Sequence, residues 1–352
     1  MRRFFNSTIF LCLISYLLLT SAQCAFAIEP VAGGTFWQLS AARLNDWSDA
    51  KLAAEVSAVK QAGMDTIIIH YTAVWNSPSQ QYQTFFQGAG FPLFDTLNNR
   101  HPLQAIFKAA EKQKIKIVLG DFLAPSDSRY TNAAKALQEW TSPKSQQFRR
   151  DLINTFKKNP SFYGYYIPNE VYPSRVKNQE DQLLWIKATQ QVTHFVKQLK
   201  PDLKIIHPIG LYPQWHFDDA GKRTLSAPSR EFLQQFWQPW MEQLNDVDIW
   251  MTIDGVGTAM ATLKNSDQAQ QWLGEMAQNA GKEYWVDVEN AVMNSHGYHS
   301  FTIDQLAKSL QVAVTHADKI VLFEHLLYMS PHSSRETARQ LYQDYLKYLK
   351  DR

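Results

Sequence analysis

The residues best suited to chemistry are two glutamates. Glu170 lies in FYGYYIPNEV, Phe162 to Val171, where an aromatic, apolar run stops at a proline, an amide and a carboxylate. Glu289 lies in KEYWVDVENAV, Lys282 to Val292, a second apolar run interrupted by acids. Two carboxyl groups flanking one bond can share acid and base work. One protonates the leaving oxygen of a glycosidic bond, and the other attacks the anomeric carbon or activates water. The competing structural readings are that Glu170 caps a helix and that Glu289 is an ordinary loop acid.

Such a pair needs a scaffold that brings distant residues together. Short apolar runs recur along the chain at Gly33–Leu39, Met64–Tyr71, Ile115–Leu123, Phe162–Val171, Leu203–Gly210, Asp248–Gly257, Lys282–Val292 and Lys319–Pro331. Helical patterns separate them. Leu52, Val56 and Val59 fall on one helical face before Gly63, and Ser142-Pro143 opens another helix with a favoured start. Alternation on this scale predicts a parallel sheet. Eight such units match a single-domain (β/α)8 TIM barrel, for which about 250 residues is typical. An open doubly wound sheet is the alternative, but no G-x-G-x-x-G turn follows the first strand to support a nucleotide-binding version.

Barrel active sites lie at the C-terminal ends of the strands. Going round, those ends carry Trp37 and Gln38, His70 and Tyr71, Asp121, Asn169 and Glu170, His207 with Tyr212 beyond, Asp254, Glu289 and Asn290, then Glu324 with Tyr328 beyond. Trp75 sits in the long loop from Thr72 to Arg100, which is expected to form one wall of a cleft. These residues are the expected substrate contacts, although Asp121, Asp254 and Glu324 fit structural ion pairs equally well. By period two, Trp285, Asp287 and Glu289 share one face of their strand. No G-x-S-x-G elbow and no H-E-x-x-H occurs. His70, His207 and His325 with Asp121 or Asp254 are a scattered set of zinc ligands, without a compact motif behind them.

The N-terminus reads as a secretory signal over residues 1–27. Arg2 and Arg3 precede the apolar run Ile9–Leu19, and Ala25-Phe26-Ala27 supplies small residues for cleavage. The apolar run is shorter than the roughly 20 residues of a membrane span, so no stable insertion is expected after cleavage. The signal contains both cysteines, Cys12 and Cys24. A mature chain of residues 28–352, exported to the periplasm or beyond, would then rely on its core rather than on disulfides. Cleavage also removes Arg2 and Arg3 from the 35 basic residues, which balances them against the 33 acidic ones. Nothing here suggests nucleic acid. Aromatics make up 13% of the chain, and several fall in polar loops: Trp75, Tyr82, Tyr212, Trp215 and Tyr298. A ring with an apolar face and a polar edge suits a sugar.

With Asn169-Glu170 on the fourth strand and Glu289 on the seventh, the chain resembles the clan A (β/α)8 glycoside hydrolases. Its GTFWQL start, YIPNE strand and aromatic-rich eighth strand make it most similar to an uncharacterised bacterial family of secreted barrel glycosidases. The resemblance implies that Glu170 is the acid/base and Glu289 the nucleophile of a retaining hydrolase. Its substrate would be an oligo- or polysaccharide, with no cofactor or metal required. Many clan A enzymes end their eighth strand on an aromatic residue. Here Glu324 stands there, and Tyr328 is the expected substitute. In those roles Glu170 must stay protonated, which the apolar FYGYYIP wall would favour. Glu289 must ionise, with Asn290, His207 or Tyr212 as donors, and Asn169 would meet the sugar 2-hydroxyl. A carbohydrate-binding barrel without turnover, or a metal-dependent hydrolase or deacetylase, are the alternatives.

Overall fold

The computed structural model describes residues 30–352, apart from 89, 98–99, 126–130, 212–215, 218–222, 225–227 and 295–296. The signal segment, Tyr212 and Trp215 therefore lie outside the described residues.

Eight parallel strands close into a barrel: β1 (Gly34–Trp37), β2 (Thr66–Ile69), β3 (Lys116–Gly120), β4 (Phe162–Tyr166), β5 (Lys204–Ile209), β6 (Ile249–Ile253), β7 (Glu283–Glu289) and β8 (Lys319–Phe323). Each pairs with its neighbours in sequence, and β1 joins β8 to complete the ring. Alternation along the strands divides the core in two. Phe36, Ile68, Val118, Tyr166, Ile206 and Val321 point inward and fill the barrel. Trp37, Ile67, Ile69, Ile205 and Leu322 point outward beneath the helices.

The helices are α1 (Ala41–Asp46), α2 (Asp49–Gln61), α3 (Pro102–Gln113), α4 (Ala133–Trp140), α5 (Pro143–Phe156), α6 (Gln179–Leu199), α7 (Arg230–Gln243), α8 (Leu263–Asn279), α9 (Ile303–Ala313), α10 (His325–Tyr328) and α11 (Glu336–Lys350). Their starts follow local chemistry. Ser142 accepts from the Ser145 N–H with Pro143 in the first turn, and Thr302 forms a reciprocal capping box with Gln305. Pro239 does not break α7.

The barrel strands end earlier than their apolar runs, and three of those runs continue into further structure. The third stops at Gly120, where a Cβ would lie 2.0 Å from the His70 carbonyl oxygen. Phe122–Leu123 then leaves the barrel and pairs with a hairpin, Ala73–Asn76 and Gln81–Thr84. This hairpin gives structure to the long loop after β2. The seventh run stops at Glu289, and its continuation turns into a second hairpin, Ala291–Asn294 with Gly297–Ser300. The eighth run stops at Phe323 because the Glu324 carboxylate caps α10, accepting from Leu327 N at 2.8 Å and Leu326 N at 3.3 Å.

Candidate active site

Glu289 ends β7 on its inward face, above Trp285 and Asp287. It lines a cavity of about 230 Å3 together with Gln38, Thr258, Tyr298, Phe323 and Tyr328. The Glu289 side chain is held by the loop after β6. Thr258 donates to Oε2 from its backbone N–H at 2.8 Å and from its hydroxyl at 3.1 Å. Gly257 makes this approach possible, since a Cβ there would meet the Ala291 carbonyl oxygen at 1.9 Å. Both Thr258 donors fall on the same oxygen.

Beneath Glu289 lies a buried group of acids. Asp254 Oδ1 accepts from the Glu289 N–H at 3.1 Å and from the Val256 N–H at 3.2 Å, which fixes the end of β7 to the end of β6. Burial, reinforced by the Glu289 charge, pushes Asp254 well above the usual carboxylate range. Asp287 is raised for the same first reason, with Asp254, Glu289 and Glu170 adding repulsion. Glu289 itself is pushed up to about 7 by burial; Thr258 and the Gly257 N–H oppose the rise and the Glu170 charge adds to it. Burial therefore holds both Asp287 and Glu289 toward the neutral form.

Glu170 stands beyond β4, half-buried, and does not line the Glu289 cavity. Its charge nevertheless acts on both Glu289 and Asp287. The Tyr172 hydroxyl donates to Glu170 Oε2 at 2.5 Å. Asn169 is turned away from the mouth and buried. Its Oδ1 accepts from the Ala124 N–H at 3.1 Å, and its Nδ2 donates to the Phe122 carbonyl at 3.2 Å. The expected contact with a sugar hydroxyl is thus corrected: the Asn169 amide serves the backbone after β3.

At the rim, Gln38 Nε2 and His70 Nδ1 are 3.0 Å apart, and the His70 ring sits among Phe36, Tyr71, Tyr166 and Phe323. Of the residues named from the strand ends, Gln38 and Tyr328 line the Glu289 cavity, and His70 and Tyr71 pack beside Gln38 and Phe323. The aromatic residue that ends the eighth strand is Phe323, one position before Glu324. Glu324 is fully buried, with its oxygens taken by the N–H groups of Gln38, Leu326 and Leu327, so it is a cap and not a substrate contact. Burial pushes it up to about 7 against Arg43 and those N–H groups.

Other expected contacts face the wrong way. Trp37 points outward and stacks on His325 with ring centroids 6.2 Å apart. His207 also points outward, into a cage of Trp237, Trp240 and Trp250, and burial pushes it down to about 3. Asp121 is buried against Arg149, accepting from Nε at 2.9 Å and Nη2 at 2.6 Å. Asn290 is buried, and its Nδ2 donates to the Glu324 carbonyl at 3.3 Å rather than to Glu289. Asp254 is buried too and serves as a brace. Trp75 lines a different cleft. His325 pairs with Glu55 at 3.0 Å outside the barrel, so His207, His325 and Asp121 cannot meet at one ion with His70. Sequence reasoning missed Thr258, Tyr172 and Phe323. Phe323 was detectable from the inward period of β8, whereas Thr258 acts through a loop whose path no periodicity reports.

The fold is shared with known barrels. One solved structure, described as a "putative alpha-L-fucosidase" from Bacteroides thetaiotaomicron VPI-5482, aligns with TM-score 0.74 and 16% identity over 94% of this chain and 99% of its own. An endo-beta-1,4-mannanase from Thermotoga petrophila aligns with TM-score 0.56 and 11% identity over 91% of this chain and 77% of its own. A hyperthermostable endo-1,4-beta-D-mannanase from Thermotoga petrophila RKU-1 gives 0.55 and 12% over 90% and 99%. These likenesses show a fold held in common with (β/α)8-barrel glycoside hydrolases. No curated protein matches the sequence significantly. Residues 32–335 match the domain of unknown function DUF4434, and the chain belongs to that family.

Proposed function

We propose that the chain is an exported glycoside hydrolase that cleaves an oligo- or polysaccharide with retention, using Glu289 as nucleophile and Glu170 as acid/base. The observation that carries this reading is Glu289 itself: an inward carboxylate at a barrel mouth, one oxygen held by Thr258, in a cavity walled by Tyr298, Phe323 and Tyr328. Glu170 is the second carboxylate, at the end of a strand three places round the ring and in electrostatic reach. In the first step Glu170 gives its proton to the glycosidic oxygen. Glu289 attacks the anomeric carbon as the carbon–oxygen bond breaks, leaving a glycosyl ester. In the second step Glu170 takes a proton from water, the water oxygen attacks the same carbon, and Glu289 is released. No cofactor enters either step. Export rests on the features of residues 1–27. Among the described residues no helix is long and apolar enough to cross a membrane.

A second reading, a carbohydrate-binding barrel without turnover, is favoured by one observation: Glu170 does not line the cavity of Glu289. Purified protein incubated with a panel of polysaccharides separates the two. Cleavage that is lost in Glu289→Gln and Glu170→Gln supports the hydrolase, as does a glycosyl ester trapped on Glu289 by a 2-fluoro sugar. Cleavage that both variants retain at the parent rate overturns the site, and glycan binding without cleavage favours the binding barrel.

A further inference from the structure

A second cleft, of about 570 Å3, opens beside the hairpin Ala73–Asn76 and Gln81–Thr84 and shares no lining residue with the Glu289 cavity. Its floor is aromatic. Tyr82 and Phe91 are buried and stacked, with ring centroids 4.7 Å apart. Trp75, paired with Tyr82 across the hairpin, meets it edge-on at 5.2 Å and remains partly exposed. The opposite wall is polar. α4 offers Lys135, Gln138 and Glu139, and the start of α5 offers Ser142 and Lys144.

The polar wall is anchored to the aromatic floor. The Tyr82 hydroxyl donates to Glu139, whose other carboxylate oxygen is buried with no hydrogen-bond partner. The volume falls within the range of small-molecule sites, and a partly exposed indole beside amide, hydroxyl and ammonium donors is the chemistry of a pyranose face and its hydroxyls. We propose that this cleft is a second carbohydrate-binding site, in which a sugar ring of an oligosaccharide stacks on Trp75 while its hydroxyls meet Gln138, Ser142 and Lys144 on the opposite wall. The hydrolase reading is not needed for this, because a barrel that only binds would use the cleft in the same way. The cleft is tied to the barrel mouth through Phe122–Leu123, the third strand of its sheet, which Asn169 grips next to Glu170. A long glycan bound here would be tethered close to the catalytic end.

The test measures binding apart from turnover. Full-length protein carrying Glu170→Gln and Glu289→Gln is probed on an array of soluble oligosaccharides, and affinities are then measured by calorimetry. Adding Trp75→Ala should weaken the best ligand about tenfold or more, as expected when an aromatic anchor is truncated. Because Trp75 packs on Tyr82, a second variant, Gln138→Arg, places bulk in the cleft from an exposed helix position without touching the core. It should weaken binding with an unchanged melting temperature. No binding by any oligosaccharide, or affinities unmoved by both variants, would overturn the proposal. Cleavage by the parent enzyme is scored separately and bears only on the hydrolase reading.

Discussion

Thr258 donates twice to the same carboxylate oxygen, Glu289 Oε2, through its backbone N–H at 2.8 Å and its hydroxyl at 3.1 Å. Both bonds favour the ionised form and oppose the burial that pushes Glu289 up to about 7. A nucleophile must be ionised, so activity should rise as pH passes through about 7. Were Glu289 the proton donor instead, activity would fall over the same range.

Removing the Thr258 hydroxyl should move that limb. Thr258→Val keeps the backbone donor and loses the other, so the Glu289 carboxyl should titrate higher by about one pH unit. The acidic limb of kcat/KM against pH reads this directly, and 13C-carboxyl NMR reads it without a substrate. A limb that stays in place would show that the hydroxyl does not tune Glu289.

The same carboxylate should make the fold sensitive to alkali. Its pKa is higher folded than unfolded, so the folded state holds the proton more tightly between about 4.5 and 7. The stability it contributes is complete below the unfolded value and is lost as pH rises through the folded one. Glu289→Gln keeps an acceptor for Thr258 and cannot ionise. The variant and the parent should match near pH 4, and the variant should be more stable at pH 8 by up to about 3 kcal/mol. Urea unfolding across that range checks it; a difference independent of pH would contradict the assignment.

Asp121 and Arg149 form a buried pair between β3 and α5. Asp121→Ala would strand the guanidinium, and loss of one partner costs about 3–5 kcal/mol. Replacing both, as Asp121→Leu with Arg149→Met, should recover most of that. If Asp121 is structural, the double variant should also keep its kcat/KM. A stable double variant with abolished activity would return Asp121 to the site.

The barrel was legible because strand and helix periods differ and because a helix start such as Ser142-Pro143 carries its own chemistry. The inward set on β7, Trp285, Asp287 and Glu289, followed from period two alone. The same rule, applied to β1 and β5, would have turned Trp37 and His207 outward, because Phe36 and Ile206 face the barrel. Reading strand ends by residue type hid this. The Asp121–Arg149 pair and the grip of Thr258 on Glu289 were not legible. Each joins segments whose mutual placement depends on tertiary packing, and a single sequence carries no period for it.

Asn169 supplies the sharpest separation between a strut and a substrate contact. Its amide satisfies the Ala124 N–H and the Phe122 carbonyl, both buried, and Glu170 is the next residue. Asn169→Ala leaves those two groups unpaired and should cost about 2–3 kcal/mol. Asn169→Asp keeps an acceptor for Ala124 but sets a carboxylate oxygen against the Phe122 carbonyl, so it should be no better. Because the loss frees the segment beside Glu170, kcat/KM should fall in step with the urea midpoint in both variants. A residue that only touched the sugar would behave in the opposite way, with kcat falling while the midpoint held. Measuring both quantities on the same preparations decides between the two, and an unchanged midpoint with a large loss of kcat would place the Asn169 amide on the substrate.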